Sequence, residues 1–364
     1  MLYPVLPLFV TRELRGPASV VGVIEGVAEA TQNIVQGASG WAADRLRRDK
    51  PVALVGYALA ALAKPFIGLS TVWPQVLVGR FVDRAGTGIR SAPRDALIAG
   101  SIEEARRGSA FGLEGFGDNL GAVVGPLLAA ALLYLLNVDL RVIFLVAAIP
   151  GLVAFALVTR VREPKRFERT SGGRLTIREI PASYWRYLIA VGAFAIGNVS
   201  RAFMILRATD VGLAPERTLL AYAGYNLVAA LVSYPAGDLA DRLGPKRVLV
   251  GALAVFAIAF VGFAVASNGL AVAVLFALYG VHQGTFRAVG KTLAVELVPA
   301  SLRASGVGLY GATVGLGALV ASGLGGQLWD RLGPGATFGY GAACAIVGTI
   351  ALAVMVPSRR EASS

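Results

Sequence analysis

The chain has 364 residues, 56% of them hydrophobic and 15% charged, with a formal net charge of +12 and one cysteine, Cys344. Soluble domains run near 45–50% apolar and about 25% charged, so a soluble fold is strained, and disorder and a disulfide-stapled secreted fold are excluded. The basic balance leaves two classes of partner, nucleic acid or a bilayer whose loops gather Lys and Arg.

At about 20 apolar residues per crossing, twelve crossings use roughly 240 positions and leave about ten for each connection. Met1 to Val10 is apolar from its first residue but is only about half a crossing, and it has neither the basic start nor the cleavage site of a signal peptide. Counting that as the first span, the second to sixth are Ser19–Ala42, Pro51–Thr71, Pro74–Ala96, Gly108–Leu136 and Arg141–Arg160. The seventh to twelfth are Tyr184–Ala208, Pro215–Leu239, Arg247–Ser267, Gly269–Thr292, Leu302–Leu328 and Gly335–Val356.

Alternate connections differ in charge: one set holds 19 basic residues, from Arg45 to Arg360, and the other six. The richer set is expected in the cytoplasm, which assigns the chain to the cytoplasmic (inner) membrane as a multi-pass protein. The loop between spans six and seven and the C-terminus then lie inside. The charge is an orientation signal and the nucleic-acid reading falls. The longest connection carries SGG and the densest cationic run. It divides a bundle at residues 1–160 from one at 184–364, with a basic cytoplasmic linker at 161–183.

The halves repeat at a shift of 197 residues: Gly40 to Arg45 falls on Gly237 to Arg242, Arg90 on Arg287 and Arg94 on Lys291. Repeated halves are how many transporters build a site at mid-membrane. The same shift sets Met1 on Asn198, about thirteen residues into the seventh span, so roughly a dozen residues of the first helix are expected to be missing, the alternative being a natural eleven-helix chain.

These residues resemble the major facilitator superfamily. Its loop signature after helix two reads here as GWAADRLRRDK at Gly40 to Lys50, and again as GDLADRLGPKR at Gly237 to Arg247. Helix four resembles the family's pattern at Arg80 to Gly86. Helix five resembles the glycine-rich signature of the drug:proton antiporter branch at Gly117, Gly121, Gly125 and Pro126, with Ala129 and Ala130 where a Gly pair is usual. The resemblance implies an all-α polytopic membrane protein: a major facilitator fold of two pseudo-symmetric six-helix bundles, here with a truncated first helix, rocking around a central cavity. It implies a gate role for Gly40, Asp44, Arg45, Gly237, Asp241 and Arg242, the aspartates tethering neighbouring helices; the alternative is a basic loop that only sets topology.

A charge at mid-membrane costs about 2.5–3.5 kcal/mol on insertion scales, so such residues face water or one another. In span two, Glu25, Glu29, Gln32, Asn33 and Gln36 follow helical spacing and form one polar stripe. Span four carries Arg80, Asp83, Arg84, Arg90 and Arg94, span three Lys64, and span five Glu114 and Asp118. At about 1.5 Å per residue, Glu25, Lys64 and Asp83 lie at one depth and Glu29 and Arg84 together near the midplane. The three acids of spans two to four balance Lys64, Arg80 and Arg84. Proton exchange at Glu29, with Glu25 next in line and Arg84 sensing the charge, is one expectation; a static ion-pair cluster is the other.

The second half offers Tyr279, Gln283 and Arg287 on one face of span ten, Tyr222 and Asn226 in span eight, and Asn198 and Arg201 in span seven. With Asn33 and Gln36 these are the substrate-cavity candidates, and their cationic character points to an anionic or zwitterionic substrate gripped by Arg287 or Arg201. Alternatively Arg287 and Lys291 snorkel to the cytoplasm. The lone histidine, His282, reads as a hydrogen-bonded helix residue.

One His and one Cys make no zinc-type site, and neither a Walker loop nor a serine-elbow motif occurs. No metal, cofactor or enzyme activity is therefore expected. The expected protein is a monomeric secondary transporter that exchanges a small molecule for protons by alternating access, outward in direction. Import of a metabolite is the alternative, and a non-transporting receptor or scaffold a third reading.

Overall fold

The computed structural model describes residues 2–46, 49–101, 107–161, 180–299 and 303–357. Among them every regular element is helical. The chain divides into two compact units, Met1–Thr170 and Ser171–Ser364.

The first unit begins with α1 (Leu2–Leu8), which runs into a π-helical stretch at Phe9–Glu13. There follow α2 (Ala18–Leu46), α3 (Asp49–Gly68), α4 (Trp73–Gly100), α5 (Arg107–Leu136) and α6 (Leu140–Arg160). Helix α4 is the hub, packed on α2 and α3, and α3 also packs on α6. Glycine makes both α4 contacts possible. A Cβ on Gly56 would stand 2.6 Å from the Gly86 carbonyl oxygen, and one on Gly88 2.8 Å from the Gln32 carbonyl oxygen. The backbones therefore approach as small-residue helix interfaces in bilayers do. Ser39 locks the α2 contact by donating to the carbonyls of Gln36 (3.0 Å) and Gly88 (3.1 Å).

At the far end of this unit Arg141 ties three elements together. It pairs with Glu13 at 3.1 Å, donates to the carbonyls of Gly68 (3.0 Å) and Ser70 (2.7 Å), and stacks 5.1 Å from the Phe9 ring centre. Helix α5 touches its own unit lightly.

The second unit contains α7 (Ala182–Ala195), α8 (Ala202–Asp210), α9 (Pro215–Leu243), α10 (Pro245–Val265), α11 (Gly269–Glu296), α12 (Arg303–Leu332) and α13 (Pro334–Met355). Two connections use the same tripeptide. In Leu243–Pro245 and Leu332–Pro334 a lone glycine with φ of 89° or 86° ends one helix, and proline starts the next. Asn268 caps α11 by accepting from the Ala271 N–H at 2.9 Å. The core is aromatic: Phe256 lies against Phe260, Phe194, Tyr279 and His282, while Phe338 packs on Phe260, Phe263 and Trp329.

Two differences from the expected spans have physical causes. Among the described residues eight helices are long and apolar enough to cross a membrane. Helices α2 and α4, of 29 and 28 residues, have the length but carry the polar stripe and the charges. The seventh span is not one helix: residues 196–201 interrupt it between α7 and α8. Small and polar residues, Gly197, Asn198 and Ser200, replace the apolar run there.

Candidate functional site

The charged residues of α2, α3 and α4 converge inside the first unit. Arg80, 1% exposed, donates from Nε and Nη2 to the two oxygens of Glu25 at 3.0 and 3.2 Å and from Nη1 to Asp83 Oδ2 at 3.0 Å. The Tyr3 ring covers the guanidinium, its centre 5.5 Å away. Glu25 and Asp83 are each 3% exposed. All three nitrogens of this arginine are engaged, by a bidentate fork on one acid and a single bond on the other.

Arg84 is held differently. It reaches the same Asp83 oxygen at 3.1 Å and donates from Nη1 to Gln32 Oε1 at 2.9 Å, with its side chain a quarter exposed. Glu29 stands one turn before Gln32 on α2, exposed, and within electrostatic reach of Arg84. Lys64 completes the group, 3.6 Å from Asp83 and donating to the Ala60 carbonyl at 2.6 Å. Without Glu29 the cluster has three cations for two anions, so Glu29 is its balancing charge. Deeper along α4, Arg90 lies 4.5 Å from the Tyr57 ring centre and its buried Nε has no hydrogen-bond partner among the described residues.

Other expected residues lie apart from this cluster. The Asp118 side chain is 71% exposed and 4.0 Å from Arg94, which also pairs with Asp95. Gly117 and Gly121 face open space: no described atom comes within 4 Å of a Cβ placed on either, so the close approach expected of a glycine stripe is not made there. Gly125 is half-buried and Pro126 buried. Asn33 and Asn226 each donate back one turn along their own helix, to Glu29 at 3.0 Å and Tyr222 at 2.8 Å. Gln36 is exposed.

In the second unit two cavity candidates turn inward. Tyr222 and Tyr279 are buried in the aromatic core, both against Tyr225, and form no open wall. Their rings fill the space that α9, α10 and α11 enclose, because burying an aromatic face outweighs leaving it wet. Gln283 is half-buried and Arg287 exposed, with no ion pair or hydrogen bond among the described residues.

The interruption in the seventh span gathers Asn198 and Arg201. Arg201 donates to the Tyr225 hydroxyl at 3.2 Å; the freed backbone is satisfied by Ser200 N–H to Ser322 Oγ at 3.2 Å and the Tyr340 hydroxyl to the Ile196 carbonyl at 2.6 Å. Non-helical backbone at membrane depth persists where protein or a wet cavity covers it. Tyr225, Ser322 and Tyr340, like Tyr57 in the first unit, escape sequence reasoning because each partner comes from a different helix.

Of the loop motifs, Gly237 is half-buried, Asp241 makes no ion pair among the described residues, and Arg242 pairs with Asp238 at 2.9 Å. The tether expected of Asp241 is thus absent among the described residues, its neighbouring arginine being held one turn earlier. The side chains of Gly40, Asp44, Arg45 and Glu114, and most of the 161–183 linker, lie outside the described residues. His282, inside the aromatic core, has Nδ1 2.8 Å from the Ala252 carbonyl.

The model of the Major Facilitator Superfamily matches residues 1–207 and again 187–364, which together span the chain. The chain belongs to the Major Facilitator Superfamily. It is 31% identical over 359 residues to an uncharacterized MFS-type transporter of Methanocaldococcus jannaschii, covering 97% of this chain and 89% of that protein. It is 23% identical to multidrug resistance protein MdtH of Salmonella arizonae, covering 91% and 82%. The fold matches the crystal structure of nucleoside transporter NupG with a TM-score of 0.79 at 12% identity, over 97% of this chain and 95% of that one. This superfamily member is an all-helical membrane transporter.

Proposed function

We propose that this transporter is a proton-coupled exporter of small molecules working by alternating access, and that Glu29 carries the proton. The observation that supports this reading is the contrast between two arginines on α4. Arg80 is saturated by Glu25 and Asp83 in the dry interior, while Arg84, partly exposed, divides itself between Asp83 and Gln32 with the exposed Glu29 one turn away. Ionised Glu29 draws Arg84 across that turn; protonated Glu29 releases it to Gln32 and Asp83. A single proton thereby moves a cation between two settings, and each setting has its own packing of α2 on α4. Glu25, locked in the fork with Arg80, acts as a strut.

Efflux rather than uptake is favoured by the likeness to a multidrug resistance protein, at 23% identity. The substrate carries anionic or zwitterionic character, met by Arg201 and Arg287. The protein works as a monomer in the inner membrane, in two six-span bundles joined by the 161–183 linker, with that linker and the C-terminus cytoplasmic.

The test uses inverted membrane vesicles with an acid interior and a panel of labelled lipophilic cations, carboxylate anions and neutral amphiphiles. The expected result is accumulation of at least one anion or zwitterion, abolished by a protonophore. Transport that ignores the protonophore overturns the coupling, and accumulation in right-side-out vesicles alone overturns the direction.

A further inference from the structure

At one end of the second unit a groove of about 550 Å³ opens where α8 ends and α9 and α11 begin. That volume falls within the roughly 300–1,000 Å³ of sites that hold small ligands. Its walls are apolar, built by Leu213, Leu220, Leu270 and Ala273, and Gly269 also lines it. Any Cβ on Gly269 would collide with the Leu213 side chain, so glycine lets the α8–α9 turn lie directly on the start of α11.

Arg217 stands at the rim, exposed and without an ion pair or hydrogen bond among the described residues. Neither nearby acid pairs with it among the described residues. Asp210 is engaged by Arg207, which also donates to the carbonyls of Phe263 and Ala266. Glu216 precedes Arg217 in the first turn of α9 and is half-buried. Two long helices, α9 and α11, begin at the groove, and their partly positive N-terminal ends add to the Arg217 charge. The groove therefore joins a cationic rim to an apolar channel at a helix-end level, about 3 Å from the start of α9, where a membrane-spanning helix meets the headgroups.

We propose that this groove binds an anionic phospholipid of the surrounding leaflet, its phosphate at Arg217 and its first methylene groups between Leu220 and Leu270. Charge complementarity selects the headgroup, and the two exposed leucines select an acyl chain over a free anion. This site is separate from the Glu29–Arg84 machinery and does not depend on it.

Native mass spectrometry of the full chain, released from detergent with phosphatidylglycerol, phosphatidylcholine or inorganic phosphate, tests the proposal. The wild type should retain phosphatidylglycerol over phosphatidylcholine, and Arg217→Ala should lower that preference about fivefold, the effect of one basic residue near an anionic surface. Arg217→Lys should keep it, and Leu220→Trp, which fills the apolar wall, should lower retention of both lipids; size-exclusion profiles matching the wild type show that the variants are folded. An unchanged preference in Arg217→Ala overturns the proposal. So does displacement of phosphatidylglycerol by inorganic phosphate, which would mark a free-anion site.

Discussion

The two units repeat one another in sequence, yet their centres are opposites. At the shift of 197, Glu25 corresponds to Tyr222, Lys64 to Val261, Arg80 to Ala277, Asp83 to Gly280 and Arg84 to Val281. The first unit joins α2 to α4 with the Arg80–Glu25 ion pair and the Arg84–Gln32 hydrogen bond, beside the close backbone approach at Gly88. Its counterpart keeps a backbone contact between α9 and α11, a Cβ on Gly280 falling 2.7 Å from the Tyr225 carbonyl oxygen, but sets tilted aromatic rings beside it where the first unit has charges. Closely packed aromatic rings have little room to rearrange, whereas Arg84, bonded to Asp83 and Gln32 and partly exposed, has alternatives that the saturated Arg80 lacks. On the proposed mechanism the second unit is the rigid one and the first carries the moving charge.

The largest effects should come from breaking each centre in its own way. Arg80→Leu strands Glu25 and half of Asp83 in a dry interior and should cost about 3–5 kcal/mol in detergent unfolding. Adding Glu25→Leu should restore much of that loss, since a buried pair replaced by apolar groups is often close to neutral. No second substitution should rescue Phe256→Ala, expected to cost about 3–5 kcal/mol through the cavity left among Phe260, Phe194 and Tyr279. Rescue in the aromatic centre but not in the ionic one would invert the comparison.

A smaller change sharpens it at the broken span. Tyr225→Phe removes the hydroxyl that accepts from Arg201 and should lower stability by about 0.5–1.5 kcal/mol. If Arg201 also serves the substrate, that variant should weaken transport of anions more than of neutral compounds, measured in the same vesicles. Smallest of all should be Glu29→Gln, an exposed substitution expected to shift stability by no more than about 0.5 kcal/mol while changing the response to pH.

Much of this architecture is legible in the sequence because a bilayer imposes its thickness on helix length. The meeting of Glu25, Lys64 and Asp83 was legible for the same reason: depth along a helix is set by residue count. What escapes is anything decided across helices at one depth. Tyr279 and Tyr222 read as cavity wall by their spacing, but Phe256 and Phe260 of α10 close over Tyr279, and Tyr222 is buried against Tyr225. Gly197, Asn198 and Ser200 mark the break at residues 196–201 only weakly, because Ser322 and Tyr340, which satisfy its backbone, lie more than a hundred residues away. Arg80 and Arg84 share a helix face, and the Tyr3 ring and the Glu25 fork, which only the structure shows, distinguish the saturated arginine from the partly exposed one.

The central claim is that Glu29 sets the position of Arg84. Its most direct test is the distance between spin labels on the two units of the full chain, in a Cys344→Ser background, measured by electron double resonance between acid and neutral pH. The wild type should change its distance distribution with pH, and Glu29→Gln should hold one distribution throughout while remaining as stable as the wild type. A pH-dependent change of unaltered size in Glu29→Gln would contradict the account.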